Sequence, residues 1–174
     1  GGEVDFSQEI AGVELEQGIR YEALQREAIN GCMNNHVFIL TGGPGTGKTT
    51  TLNAVISLCR KRGLKMKLAA PTGRAAKRMA DLTGAPAQTI HRLLEVDYTG
   101  GVVSFIHNDK NLLKCDVVIL DEMSMVDVKL FQALIAALRY SCRIIMVGDA
   151  DQLPSVGPGN ILGEVVRSGL VPPS

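Results

Sequence analysis

The chain contains no tryptophan, and aromatic residues fill only 4% of its 174 positions. A surface built mainly from stacked aromatic platforms is therefore not available to it. It also lacks net charge, because 18 Lys and Arg offset 18 Asp and Glu. An overall basic footprint is excluded, and any nucleic-acid surface must be local. No apolar run approaches the roughly 18 residues of a membrane span. The acidic start (Glu3, Asp5, Glu9) is not that of a signal peptide. These absences point to a soluble, cytoplasmic protein without a membrane partner. Metal-ligand spacing is missing too. Cys32, Cys59, Cys115 and Cys142 stand singly, without a CxxC pair or a nearby histidine, each among apolar neighbours. Neither a zinc site nor a disulfide framework is expected, and the thiols read as small buried residues in a reducing compartment.

What remains is enough for one domain with a full core, given 45% apolar residues over this length. Short apolar runs recur, each followed by a stretch of helical character. The runs are Val37–Leu40, Met66–Ala70, Val117–Leu120 and Ile144–Val147. Three of the four are continuously apolar, as expected of parallel strands covered by helices on both faces. Helices are predicted over about Tyr21–Met33, Lys48–Arg62, Gly73–Leu82 and Val126–Arg139, with a helical turn at Thr89–Leu94. Alternating strands and helices imply an α/β sandwich. One segment departs from this pattern. Asp97–Phe105 carries Gly100-Gly101 between β-favouring residues and reads as an inserted hairpin, decorative or functional.

The chemistry concentrates at strand ends. Gly42-Gly43-Pro44-Gly45-Thr46-Gly47-Lys48-Thr49 fits G-x-x-x-x-G-K-[ST], directly after one predicted strand and at the start of a helix. Glycines there let backbone N–H groups curl around phosphate oxygens, and the helix N-terminus adds positive potential. Lys48 would supply a point charge to the β- and γ-phosphates and Thr49 a hydroxyl to Mg²⁺. Asp121 and Glu122 follow the strand Val117–Leu120, at the edge where α/β sheets bind ligands. Asp121 can hold Mg²⁺ and Glu122 can take a proton from water, which favours hydrolysis over phosphoryl transfer to another substrate. After the fourth strand, Asp149-Ala150-Asp151-Gln152 could sense the γ-phosphate through Gln152, or could be an ordinary turn. From Arg60 to Arg78 eight basic residues occur without an acid. Arg60, Lys61 and Arg62 suit the end of a helix. Arg74, Lys77 and Arg78 lie near a helix start, where cations are unfavourable, which suggests a nucleic-acid contact.

Taken in order, six segments resemble the first motor domain of RecD-like superfamily-one DNA helicases. They are Leu24–Ala28, Thr41–Thr50, Ala70–Met79, Thr89–Leu94, Asp121–Asp127 and Gly148–Gly159. Pif-type helicases and TraA-type relaxase-helicases share much of this set. The resemblance implies a RecA-like P-loop NTPase fold: a three-layer α/β sandwich with a mainly parallel sheet and a small inserted β-hairpin. It implies ATP with Mg²⁺ as cofactors, and single-stranded DNA and duplex junctions as partners, with other recombination or repair subunits beside them. Gln25 matches the glutamine that recognises adenine, with Gly43, Pro44, Gly45, Thr46, Gly47, Lys48, Thr49 and Thr50 around the phosphates. Thr49 and Asp121 match the Mg²⁺ ligands, and Lys48, Glu122 and Gln152 the catalytic set. Pro71, Thr72, Gly73, Arg74, Lys77 and His91 match DNA-contacting elements. Without the resemblance, Gln25 reads as solvent-facing and His91 as a partly buried core residue. The hairpin, about residues 96–108, falls where this family carries a pin that splits the duplex.

The expected organisation is an N-terminal segment over residues 1–19 and a motor domain over residues 20–174. The family carries a second motor domain with arginines that reach the γ-phosphate from the far side, and residues 20–174 are expected to hold only the first. The chain is therefore expected to bind ATP but to hydrolyse it poorly alone. The alternative is a stand-alone P-loop nucleotide-binding protein or kinase, which accounts for the phosphate loop and leaves the Thr72, His91 and Gln152 segments unexplained.

Overall fold

Four runs of apolar residues become the long strands of one sheet in the computed structural model, which describes residues 4–41 and 47–148. They are β1 (Val37–Leu40), β2 (Met66–Ala70), β6 (Val117–Asp121) and β7 (Arg143–Val147). A fifth strand, β3 (Ala87–Thr89), closes one edge, giving the order β1-β7-β6-β2-β3. Every pairing in this sheet is parallel. All five carboxyl ends therefore lie along one edge, so whatever follows these strands meets there.

Burial explains why the runs are continuously apolar. Along β6, Val117 and Ile119 pack into one core and Val118 and Leu120 into another, on opposite faces of the sheet. On the first face lie α1 (Ser7–Gln17), α2 (Ala23–Asn34), α3 (Lys48–Lys61) and α4 (Gly73–Thr83), contributing Ile10, Ile29, Val55 and Met79. On the second lie α5 (Ile90–Leu94) and α6 (Val128–Ala136), contributing Leu94, Phe131 and Leu134. The result is a three-layer sandwich.

The helix limits follow their caps. Asp127 accepts a hydrogen bond from the Lys129 N–H at 2.7 Å, so α6 starts at Val128 and not at Val126. Glu22 caps α2 through a capping box with Gln25, which moves that start from Tyr21 to Ala23. Two elements escape the sequence pattern. Helix α1 buries only Ile10 and Val13. It is held by ion pairs from Glu14 to Arg26 (3.0 Å) and from Glu16 to Lys61 (2.5 Å). Its side chains, with Phe6, join the main core, so packing does not break at residues 19–20. Strand β3 is three residues without a hydrophobic run, ordered by the open edge of β2.

The insertion is a hairpin, β4 (Val96–Asp97) against β5 (Ser104–Phe105), antiparallel. Its connection differs from a two-residue Gly-Gly turn. Six residues link the strands, with a 3₁₀ turn at Thr99–Gly101 and positive φ at both Gly100 (77°) and Gly101 (75°). Asp97 accepts hydrogen bonds from the Thr99 N–H (2.9 Å) and hydroxyl (2.5 Å), fixing the turn.

All four cysteines are free and buried. Burial pushes the Cys32 thiol up to about 12 and the Cys59 thiol up to about 11, so neither is a nucleophile at neutral pH. Among the described residues no helix is long and apolar enough to cross a membrane.

Candidate nucleotide site at the carboxyl edge of the sheet

Chain direction brings the candidate site together. Helix α3 starts at Lys48, just beyond the loop after β1, while Asp121 ends β6 and Gly148 follows β7. Lys48, Thr49, Asp121, Glu122 and Gly148 accordingly line a single cleft, closed from the side by Arg78, Met79, Leu82 and Thr83 of α4. The lysine and the paired acids thus share one cavity on one edge of the sheet.

Local geometry shapes its floor. Gly47 takes up the left-handed conformation (φ +79°), and the Gln25 amide nitrogen lies 2.4 Å from where a Cβ on residue 47 would sit. The backbone conformation favours glycine there, and any Cβ would displace the tip of the Gln25 side chain. Helix α3 has no side-chain cap at its N-terminus. Lys48 and Thr49, its first residues, line the cleft, and the first N–H groups of a helix have no acceptor one turn back. Together with Lys48, they suit an anion with several oxygens.

At the end of β6 the chain turns sharply. Glu122 has φ 58° and ψ 41°, a left-handed conformation uncommon for a non-glycine residue, and a 3₁₀ turn at Met123–Met125 follows. Its N–H donates to Asp121 Oδ1 at 2.8 Å. Both acids are half-buried. Among the described residues no three His, Cys, Asp or Glu side chains converge to hold a metal. A divalent ion in this cleft would have Asp121 and the Thr49 hydroxyl as hard ligands and would complete its shell with phosphate and water oxygens, the mode Mg²⁺ favours.

Gln25 is half-buried rather than solvent-facing. Its Oε1 accepts the Glu22 N–H at 2.9 Å, and its amide nitrogen lies against Gly47, at the end of the phosphate loop. His91 is exposed, not part of the core, and its ring sits 5.9 Å from that of Phe105 on the hairpin. Thr72 caps α4, accepting the Ala75 N–H at 3.1 Å. Thr72, Gly73, Arg74 and Lys77 are exposed and Pro71 half-buried. Because Ala70 and Thr89 are partners in the β2–β3 ladder, the starts of α4 and α5 lie side by side. Pro71 and His91 therefore both follow neighbouring strand ends on the same sheet edge as the cleft, from which α4 and α5 run onto opposite faces of the sheet. Thr50 is half-buried in the first turn of α3. Gly43, Pro44, Gly45, Thr46 and Gln152 lie outside the described residues.

Sequence reasoning missed the α4 wall of the cleft. Arg78 and Leu82, like Met79 and Thr83, are spaced i, i+4, which marks one helix face. Nothing in the pattern says that this face turns toward Lys48.

Comparison with known proteins places these features in a family. A family model described as an AAA domain matches residues 25–158. The chain is 42% identical over 135 residues to the ATP-dependent RecD2 DNA helicase of Deinococcus radiodurans, covering 78% of this chain and 18% of that protein. It is 36% identical over 168 residues to the RecBCD enzyme subunit RecD of Mycolicibacterium smegmatis, covering 82% of this chain and 30% of that protein. The chain thus spans less than a third of the length of either relative. Among solved structures, it is similar to a crystal structure of Bacteroides Pif1 bound to ssDNA. That match has a TM-score of 0.55 at 27% identity and covers 86% of this chain and 36% of the other.

Proposed function

The chain belongs to the AAA-domain family, as a RecD-like helicase motor domain, and from that premise we propose that it binds ATP with Mg²⁺ and serves an ATP-dependent DNA helicase. In this reading ATP hydrolysis drives translocation on single-stranded DNA and the unwinding of duplex. One observation carries the reading: Lys48, Thr49, Asp121 and Glu122 line one cleft at the carboxyl edge of a parallel sheet.

Each residue then has a task set by its chemistry. Lys48 neutralises the β- and γ-phosphates as a point charge, and the first-turn N–H groups of α3 bind their oxygens. Thr49 and Asp121 hold Mg²⁺, which when bound polarises the terminal phosphate. Glu122 accepts the proton of the attacking water. Gln25, at the Gly47 end, recognises adenine, and Gln152 reports the state of the γ-phosphate. Pro71–Lys77 and His91 contact single-stranded DNA, with the phosphate backbone facing Arg74 and Lys77. Junction binding and association with other recombination or repair subunits belong to the same reading. Efficient turnover would require arginines from a second domain, so this chain alone binds ATP but turns it over slowly.

The test is equilibrium binding of ATP·Mg²⁺ to the chain and to Lys48→Ala. Loss of a charge-assisted contact worth about 2 kcal/mol weakens binding roughly 30-fold. Equal affinity of the two proteins would refute the assignment of the site.

A further inference from the structure

Arg78, grouped by the sequence pattern with Arg74 and Lys77 as a nucleic-acid contact, instead lines the cleft with Lys48, Thr49, Asp121 and Glu122 and has no task in the proposed function. We infer that Arg78 is a further phosphate-binding residue of this cleft, a guanidinium on α4 that reads the terminal phosphate of a nucleoside triphosphate. The inference rests on the proposed nucleotide site and adds to it, beside Gln152, a cation that distinguishes triphosphate from diphosphate.

Three observations support it. First, α4 divides its basic residues. Arg74 and Lys77 are exposed and do not line the cleft, whereas Arg78 lies on the face that continues through Met79, Leu82 and Thr83 along the cleft wall. Met79 is 1% exposed and anchors that face to the core, so the position of Arg78 follows from packing. Second, the guanidinium is uncommitted. Arg78 is exposed and takes part in no hydrogen bond or ion pair among the described residues, although two carboxylates line the same cavity. Its forked donors remain available to phosphate oxygens, which they fit bidentately.

Third, among the described residues of the lining the charges favour a second cation. With Lys48 alone against Asp121 and Glu122 the cleft side chains would carry a net negative charge, and would oppose an anionic nucleotide–metal complex. Arg78 brings the lining to two cations and two carboxylates. Its place in the cleft selects the phosphate it meets. It shares the cavity with Thr49, Asp121 and Glu122, where metal and attacking water belong, while Gln25 lies against Gly47 and does not line that cavity. The terminal phosphate is the group that reaches this end.

The experiment compares affinities for AMP-PNP·Mg²⁺ and ADP·Mg²⁺ in the unaltered chain, Arg78→Ala, Arg78→Lys and Lys48→Ala, each verified as folded by thermal melting. Arg78→Ala is expected to weaken AMP-PNP about tenfold, with ADP changed less than about twofold. Arg78→Lys, which keeps the charge but loses the fork, falls between. Unchanged AMP-PNP affinity in Arg78→Ala, or equal losses for both nucleotides, overturns the inference while leaving the site intact. If Lys48→Ala binds AMP-PNP as the unaltered chain does, the nucleotide site itself falls and the role of Arg78 falls with it.

Discussion

Replacing Gly47 by alanine tests how the cleft floor is built. The perturbation has two separable parts. The φ of +79° costs an L-residue about 1–2 kcal/mol. The new Cβ would also come within 2.4 Å of the Gln25 amide nitrogen. Gln25 must then leave its rotamer, at about 1 kcal/mol. It must also release the Glu22 N–H that its Oε1 accepts at 2.9 Å, losing about 1 kcal/mol more. Gly47→Ala should therefore destabilise the fold by about 3–4 kcal/mol in urea unfolding, as a shift in midpoint without a change in slope. Gln25→Ala alone should cost about 1 kcal/mol, the lost capping-box bond. In the double variant only the backbone strain of residue 47 adds to this, so the two substitutions should be non-additive by about 2 kcal/mol. Additivity within about 0.5 kcal/mol would show that Gln25 does not pack on Gly47. The placement of Gln25 at the end of the phosphate loop would then be wrong.

Two further outcomes follow from the surface. The Tyr21 backbone N–H and the Arg26 guanidinium hold the Glu14 carboxyl below its ordinary pKa of 4.5. A carboxyl lowered in the folded state contributes stability above that ordinary value and loses it as pH falls through the folded one. The melting temperature of the unaltered chain should thus exceed that of Glu14→Gln at neutral pH, and the gap should close in acid; a gap independent of pH would remove the carboxylate from the docking of α1. For the strand-contacting face, salt titration of oligo(dT) binding should lose about 0.7 from its log–log slope with each of Arg74→Ala and Lys77→Ala. An unchanged slope would make that face a merely solvated one.

Much of the frame is legible before any coordinates. Continuously apolar runs such as Val117–Leu120 can be buried only on both faces, and that demand is met by parallel strands between two helical layers. Elements without such a demand stay hidden. Helix α1 carries few apolar residues and is held by Glu14 and Glu16 reaching other helices, contacts that no local pattern encodes. Strand β3 exists because β2 leaves an edge open. His91 reads as a core residue because it follows Ile90 in an apolar context, yet α5 is so short that its outer face carries the ring to the surface, beside Phe105.

By itself, then, the sequence determined the four apolar strands and the paired acids at the end of one of them, because each is written in contiguous residues. Only the tertiary structure decided which distant side chains join them. The insertion of β7 between β1 and β6 sets the span from Lys48 to Asp121, and the packing of Met79 turns Arg78 into the cleft. The approach of α2 lays Gln25 on Gly47. Such meetings depend on how layers stack, and stacking is fixed by the whole core rather than by any stretch of chain.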